Sequence, residues 1–313
     1  MARTTADPVR PLGQPVDRLL ALYAIISGAA LLFPHRPALW PIFLAGHGIA
    51  VMAGFAVRPV ARARDALMRR LPGLIQFIGD VYPLVLIPIL YAELAPLNLA
   101  VWDGHYFDDS IIAVEQAIFG GQPSREWAVA FPSLPLSELL HAAYLSYYIV
   151  IFVPPLFIAR IAGRGAFRDA VFALMLTFVV HYLFFIWFPV QGPRYLFPAP
   201  GGPLAEGAIY RFTHVVLEAG SSQGAAFPSS HVGVAVAQVL IAWRYARRLV
   251  PVIALMATGL ALGAIYGGFH YATDVLAGAL LGAVCAVVAP AVRHALRPAD
   301  AAPMPAGRPA TPQ

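Results

Sequence analysis

The sequence has no lysine, a single cysteine and few charged residues: 12% of its 313 positions are ionised side chains. Soluble domains carry about 25% charged residues, so this composition excludes an ordinary soluble protein. Cys285 lies in an apolar run, and one thiol forms neither an intrachain disulfide nor a thiolate metal site. Apolar residues are abundant instead, at 59% of the chain, so we expect most of it to lie in a bilayer.

The net charge of +5 does not indicate a nucleic-acid partner. The arginines fall in short clusters between apolar runs, which fits membrane topology better than a nucleic-acid surface. Residues 1–18 are polar and do not resemble a removable signal peptide. Residues 297–313, rich in Pro and Ala, are predicted to be a disordered tail.

Long apolar runs predict an all-α fold, a polytopic bundle of about eight transmembrane helices. The runs are residues 18–33, 38–57, 73–92, 138–159, 168–188, 229–246, 250–268 and 271–292. Arginines between the runs set the orientation. With a cytoplasmic N-terminus, the arginines left outside are Arg36, Arg125, Arg194 and Arg211, so an N-in, C-in topology is predicted.

Two of the predicted outside segments are long. The first, residues 93–137, offers oxygen and nitrogen ligands at Asp103, His105, Asp108 and Asp109. Their spacing fits no metal template, so a solvated acidic loop is the preferred interpretation, and residues 110–119 predict a short amphipathic helix in the interface. The second segment, residues 189–228, is rich in Pro and Gly and is predicted to be a loop rather than a helix.

Three short polar segments fall on the same, non-cytoplasmic face of this topology. They are FPVQGPRYLFP with Arg194, AAFPSSHVG with Ser229, Ser230 and His231, and YGGFHYATDVLAG with His270 and Asp274. One helix down and one helix back separate the two histidines, so both are expected to return to one face of the membrane.

The residue types in these segments suit a phosphate ester. Pro-Ser-Ser at a helix start predicts a cap with free N–H groups that favour an anion, and an arginine fork binds phosphate oxygens. His270 and Asp274 share a helix face if that turn is helical, and the carboxylate can then hold one ring nitrogen and leave the other nucleophilic. His231 remains as a proton donor to the leaving oxygen.

These segments resemble the motifs of the type 2 phosphatidic acid phosphatase superfamily. PSSH and HYATD are similar to its second and third motifs, and PVQGPR is similar to the first motif of its inositolphosphotransferase branch, which includes inositol phosphorylceramide synthases. The resemblance covers residues 90–293. It implies a six-helix catalytic membrane domain at residues 73–296, with two added helices in residues 1–72.

The resemblance also implies a metal-independent, cofactor-free phosphotransfer in two steps. His270 would attack phosphorus, oriented by Asp274, and His231 would protonate the departing alcohol. Residues that would bind phosphate oxygens are Arg194, Ser229, Ser230 and Arg211. For both arginines the alternative is contact with lipid headgroups. Water or a second alcohol would then take the phosphoryl group.

The sequence departs from the phosphatase pattern in two places. Gly263 and Ala264 stand where the phosphatases carry Ser-Arg, and the first-motif lysine is absent. We therefore predict a lipid phosphotransferase that uses a membrane lipid and an alcohol or water acceptor, facing the periplasm or exterior from a bacterial inner membrane. The alternatives are a lipid phosphate or pyrophosphate phosphatase with the same residues, a proton-coupled transporter, and a metalloenzyme.

Overall fold

The computed structural model describes residues 14–55 and 72–297, with side chains from residue 77 onward in the second range. Most of the predicted disordered tail, residues 298–313, lies outside the described residues. So do several arginines of the predicted cytoplasmic segments: Arg3, Arg10, Arg58, Arg62, Arg64, Arg69, Arg70 and Arg308.

Thirteen α-helices and no β-strand are found in the described ranges. The helices are α1 (Pro15–Gly28), α2 (Trp40–Gly54), α3 (Pro72–Ala92), α4 (Leu94–Trp102), α5 (Asp108–Phe119), α6 (Pro123–Ala130), α7 (Leu134–Leu145), α8 (Tyr147–Trp187), α9 (Pro193–Leu196), α10 (Ala208–Gly220), α11 (Ser230–Tyr245), α12 (Val250–Tyr266) and α13 (Ala272–Ala295). Short 3-10 helices occupy Ala29–Leu32, Gly202–Glu206 and Arg247–Leu249. The prediction of an all-α fold is confirmed.

Four stretches of the described chain are long and apolar enough to cross a membrane: Pro15–Leu32, Tyr147–Trp187, Arg247–Tyr266 and Ala272–Ala295. A fifth is the pair Phe77–Ala92 and Leu94–Trp102, which is bent by 40°. These helices indicate an integral membrane protein with four or five candidate spans, fewer than the eight predicted. Two of the predicted runs form shorter helices, α2 with 15 residues and α11 with 16.

The longest helix, α8, contains 41 residues and is broken at Gly163. A straight helix of this length would extend about 62 Å, twice the thickness of a bilayer core. Gly163 adopts a φ of 81°, a left-handed conformation that glycine reaches without strain. The break falls between the predicted spans 138–159 and 168–188. The first of these runs is not a single helix, because it is divided between α7, which ends at Leu145, and α8, which begins at Tyr147.

Helix α11 lies at the centre of the bundle, in contact with α8, α12 and α13. Glycine allows its close approach to α13, because a Cβ added at Gly278 would lie 3.0 Å from the backbone nitrogen of Ser229. That nitrogen donates a hydrogen bond to the backbone oxygen of Asp274 at 3.0 Å. The first turns of α11 and α13 are thereby held together, and both carry motif residues.

The segment 189–228 is not the loop predicted from its Pro and Gly content, because it contains the 13-residue helix α10. Glu138 of α7 accepts hydrogen bonds from the backbone nitrogens of Ile209 at 3.1 Å and Tyr210 at 2.9 Å. These are donors of the first helical turn, which otherwise lack partners. A carboxylate from outside the segment thus stabilises α10, and the composition of the segment does not reveal it.

Ionic contacts gather at the end of the bundle opposite the first residue of α11. Tyr245, the last residue of α11, donates a hydrogen bond to Asp169 at 2.8 Å, and Arg168 lies 2.6 Å from Asp80. The 16 residues of α11 correspond to about 24 Å of helix. The arginine-rich end and the end that carries the PSSH motif are therefore well separated.

Candidate active site

Two histidines face each other where α11 and α13 begin. His231 is the second residue of α11, and His270 lies two residues before α13. His231 Nδ1 and His270 Nε2 are 3.4 Å apart, and the ring centroids are 5.5 Å apart. Since α11 leads the chain away from this end of the bundle and α12 returns it, two motifs 39 residues apart form one site.

Asp274 faces the other ring nitrogen of His270. Its Oδ2 lies 3.5 Å from His270 Nδ1 and accepts a hydrogen bond from the backbone nitrogen of Tyr271 at 2.9 Å. The side chain is fully buried, and Oδ1 has no hydrogen-bond partner among the described residues. The sequence spacing suggests that His270 and Asp274 share a helix face. His270 instead precedes α13, and the turn that leads into the helix brings the two side chains together. The carboxylate lies beside Nδ1, which makes no hydrogen bond within the described residues, and Nε2 faces His231.

Tyrosines of α7 and α8 surround His231. The hydroxyl of Tyr144 lies 3.3 Å from His231 Nε2, and the Tyr147 ring centroid lies 4.2 Å from that of the imidazole. These contacts hold the ring with Nδ1 toward His270. The sequence interpretation does not single out either tyrosine. The available signal was the YLSYY run in the predicted span 138–159.

Ser229 and Ser230 stand at the start of α11. The Ser229 side chain caps the helix by accepting a hydrogen bond from the Val232 nitrogen at 3.4 Å. Ser229 is fully buried, whereas Ser230 borders a cavity beside the two histidines. The predicted cap is confirmed, and Ser230 is the serine that reaches the cavity.

Arg194 lines this cavity, but Arg211 does not. Nη1 of Arg194 donates to the Leu217 oxygen at 3.0 Å and to Ser221 Oγ at 2.6 Å, which anchors the guanidinium at the end of α10. Arg211 is exposed, and its Nε donates to the Ala205 oxygen at 3.3 Å. The structure therefore places one of the two predicted phosphate-binding arginines on the cavity that both histidines line. The other occupies the face of α10 that points away from the buried residues of that helix.

The cavity beside the histidines has a volume of about 380 Å³. Six tyrosines line it: Tyr91, Tyr144, Tyr147, Tyr148, Tyr182 and Tyr195. Apolar residues from several elements, among them Ile87, Ile151, Val216 and Leu217, contribute to the remaining wall. An apolar chamber with a guanidinium and two imidazoles at one place suits a ligand that joins a hydrocarbon part to an anionic group.

Asp108, the first residue of α5, is buried. The prediction of a solvated acidic loop is therefore wrong for this residue. Its Oδ2 accepts from the Gln191 nitrogen at 2.9 Å, and its Oδ1 accepts from the Gly192 nitrogen at 2.9 Å and the Tyr271 hydroxyl at 3.1 Å. Buried backbone N–H groups need acceptors, which explains why this carboxylate lies inside. The others of that acidic group are exposed: Asp103, His105 and Asp109. Asp108 thus fixes the first motif against the third.

Glu115, two turns further along α5, holds the start of α13. Its Oε1 accepts a hydrogen bond from the Ala272 nitrogen at 2.6 Å, a donor of the first helical turn. The side chain is fully buried, and this burial raises the pKa of Glu115 from 4.5 to about 7. The helix predicted at residues 110–119 is present. The buried carboxylates of α5, Asp108 and Glu115, accept hydrogen bonds from backbone groups of the first and third motifs.

A profile of the PAP2 superfamily matches residues 109–288, more than half of the chain. The matched range includes Arg194, His231, His270 and Asp274. The chain belongs to the PAP2 superfamily. It is therefore an enzyme of the phosphatase and phosphotransferase class that this superfamily comprises. Searches of curated proteins and of solved structures each found no match.

The superfamily match has consequences for the expected cofactors and for the assignment to the inositolphosphotransferase branch. PAP2 enzymes are generally metal-independent. Within residues 14–55 and 72–297, no group of three or more His, Cys, Asp or Glu side chains is arranged to hold a metal ion. The match identifies the superfamily as a whole and does not distinguish its inositolphosphotransferase branch.

Proposed function

We propose that this PAP2 enzyme is a membrane lipid phosphotransferase that moves a phosphate or phospho-headgroup from a lipid to an alcohol through a phosphohistidine. One observation carries the proposal: His231 Nδ1 and His270 Nε2 approach to 3.4 Å at the edge of a cavity that Arg194 also lines. This arrangement supplies a nucleophile, a proton donor and an anion-binding group around one phosphate.

In the first half-reaction, His270 Nε2 attacks phosphorus. The P–N bond forms as the P–O bond to the leaving alcohol breaks, and His231 gives its Nδ1 proton to the departing oxygen. Asp274, whose Oδ2 lies 3.5 Å from His270 Nδ1, stabilises the positive charge that the ring acquires. Arg194 and the Ser230 hydroxyl hold the non-bridging oxygens.

In the second half-reaction, an acceptor alcohol attacks the same phosphorus. His231, now neutral, takes the proton of the acceptor as the new P–O bond forms and the P–N bond to His270 breaks. Both imidazoles return to their starting states. The contact of Tyr144 with His231 Nε2 keeps Nδ1 in place for both steps. Water as the acceptor would complete a hydrolysis instead.

The region before the third motif supports transfer over hydrolysis. Resemblance to the phosphatases would require Ser-Arg at the positions of Gly263 and Ala264. Both residues are buried, and a Cβ added at Gly263 would collide with the backbone oxygen of Leu140. Neither residue supplies a cation, so Arg194 is left to bind the phosphate. This departure favours the inositolphosphotransferase branch.

We place the active site on the non-cytoplasmic face of an eight-span bundle with both termini in the cytoplasm. The proposal is supported by the ionic, arginine-rich contacts at the far end of α11 from Ser230. Residues 73–296 would form the six-helix catalytic domain, and α1 and α2 would be additions. In a bacterial inner membrane, the site would face the periplasm.

A panel of radiolabelled lipid phosphates and phospholipids, incubated with the purified protein, tests the proposed reaction. Label that moves to a new lipid headgroup only when inositol or another alcohol is added supports transfer. Labelled inorganic phosphate, formed equally with and without the alcohol, identifies the lipid phosphate or pyrophosphate phosphatase.

Two further readouts address the remaining alternatives. Transport in liposomes without any change in the lipids would identify a proton-coupled transporter. Loss of turnover in EDTA would identify a metalloenzyme, whereas the proposed mechanism predicts unchanged rates.

A further inference from the structure

A second cavity, of about 280 Å³, lies next to the first and shares Arg194 with it. We call it the Arg125 cavity, after the residue at the start of α6 that lines it with Ser124, Phe197 and His214. Gly267 of the third motif lines it as well. The phosphotransfer steps proposed above use none of its residues except Arg194.

The third motif separates the two cavities. Gly267 and Gly268 line the Arg125 cavity, whereas Phe269 and His270 line the first cavity. Gly268 has a φ of 68°, so the chain turns sharply between the two sides. A ligand in the Arg125 cavity would therefore lie directly beside the backbone that presents the catalytic His270.

The charged groups of the Arg125 cavity are cationic and lack acidic partners. The Arg125 guanidinium carbon lies 4.1 Å from the Phe197 ring centroid. Across the described ranges, no carboxylate forms an ion pair with Arg125 or Arg194. The neighbouring Glu126 is engaged elsewhere, since its Oε1 accepts from the Gln122 nitrogen at 2.8 Å.

Two polar atoms of the same lining also lack partners among the described residues. Ser124 is 2% exposed, and its Oγ makes no hydrogen bond; the buried Nε2 of His214 makes none either. A buried polar atom without a partner is unfavourable, so a ligand that satisfies it gains affinity. A hydroxyl and two guanidinium groups are hydrogen-bond donors, and phosphate oxygens match them best.

We propose that the Arg125 cavity binds the phosphate group of a water-soluble phosphate ester, which serves as acceptor or leaves as product. This inference rests on the proposed function, because the two cavities then hold the two partners of one transfer. The phosphate would be bound by Arg125 and Ser124, and Arg194 would lie between it and the phosphate of the lipid. The hydroxyl of the same molecule would be directed toward His270.

Equilibrium dialysis of radiolabelled inorganic phosphate against the full chain in detergent micelles tests the inference. Arg125→Ala is compared with Arg36→Ala, a matched control whose guanidinium also stacks on an aromatic ring, that of Trp40, and lines neither cavity. Loss of a charged hydrogen-bond donor predicts binding weakened roughly 10-fold or more in Arg125→Ala, and unchanged binding in Arg36→Ala. Ser124→Ala, which keeps both arginines, is expected to weaken binding to a smaller extent.

Equal binding by the Arg125→Ala and Arg36→Ala proteins would overturn the inference. Displacement of the bound phosphate by glycerol 3-phosphate supports a soluble ligand, whereas displacement only by dioctanoyl phosphatidate overturns that assignment. Dialysis requires no turnover, and phosphohistidine formation is assayed separately on the same preparations. Loss of phosphate binding in the Arg125 cavity is thus distinguished from loss of the proposed phosphohistidine chemistry.

Discussion

The hydroxyl of Tyr271 donates a hydrogen bond to the carboxylate of Asp108 at 3.1 Å, although 163 positions separate the two residues. The same carboxylate accepts the backbone N–H groups of Gln191 and Gly192. A short helix between the predicted spans therefore binds the first and third motifs together. We infer that α5 is a scaffold for the catalytic residues.

Replacement of Asp108 by Asn tests this scaffold. One oxygen that accepts a backbone N–H becomes an NH2 donor, so a buried hydrogen bond is lost and two donors oppose each other. We expect kcat to fall roughly 10- to 100-fold. Asp109→Asn is the matched control, because Asp109 is adjacent and exposed. Steady-state kinetics with thermal unfolding checks the result, and equal kcat values for the two variants would contradict it.

The local part of the site could be predicted from the sequence, because each motif is contained within a few residues. PSSH forms a cap in any helix that starts there, and one returning helix brings His231 back to His270. The arrangement of Arg194 and Arg211 could not be predicted, because each lies outside the predicted spans. Arg194 lies in α9 and is held at the end of α10 beside the cavity, whereas Arg211 lies on the exposed face of α10.

The role of Asp108 was missed for a different reason. In sequence, it belongs to a run of acidic residues that is typical of a solvated loop. Its burial follows from unsatisfied N–H groups more than 80 positions away, at Gln191 and Gly192. The helix α10 was missed similarly, since its cap is Glu138 of another helix. Long-range polar contacts of this kind produce no periodic pattern in the local sequence, so the sequence alone does not predict them.

The two arginines predicted to bind phosphate are expected to differ in effect. Arg194→Ala removes the guanidinium beside the histidines, and kcat/KM should fall roughly 100-fold, the scale of a lost charged hydrogen bond to phosphate. Arg211→Ala should stay within about 2-fold of wild type, because exposed charges contribute little. Arg194→Lys should recover part of the rate. Initial-rate kinetics with the lipid substrate measures kcat/KM for each variant. Equal losses of kcat/KM in the two alanine variants would contradict the different positions of the two arginines.

Glu115 predicts a pH dependence of stability. Because burial raises its pKa from 4.5 to about 7, the folded state retains the proton more strongly than the unfolded chain does. Its contribution to stability is therefore full below the unfolded pKa and is lost as pH rises from 4.5 through about 7. Glu115→Gln should match wild type in Tm at about pH 4 and exceed it by several degrees at about pH 8.

The control for this measurement is Glu206→Gln, which neutralises an exposed carboxylate. Its Tm should follow that of wild type at both pH values. Differential scanning fluorimetry in detergent gives all three curves. A wild-type Tm that rises relative to Glu115→Gln with increasing pH would show the opposite sign and refute the assignment.

Gly278 predicts a steric requirement between α11 and α13. A Cβ at this position would lie 3.0 Å from the nitrogen and carbonyl carbon of Ser229 and closer still to its oxygen. Gly278→Ala should therefore separate the PSSH motif from Asp274 and destabilise the fold by about 1–3 kcal/mol. Gly46→Ala serves as the control, since a Cβ there meets nothing within 4 Å. Thermal unfolding and activity are both measured, and a fully stable, fully active Gly278→Ala enzyme would contradict the predicted close packing.

The most direct test of the catalytic mechanism is to trap the covalent intermediate. Purified enzyme is mixed with labelled lipid phosphate, quenched in alkali to preserve phosphohistidine, digested and analysed by mass spectrometry. We predict label on His270 in the wild type, none in folded His270→Ala, and slower labelling in His231→Ala. Turnover by the His270→Ala protein at the wild-type rate, or label on a different residue, would contradict the mechanism.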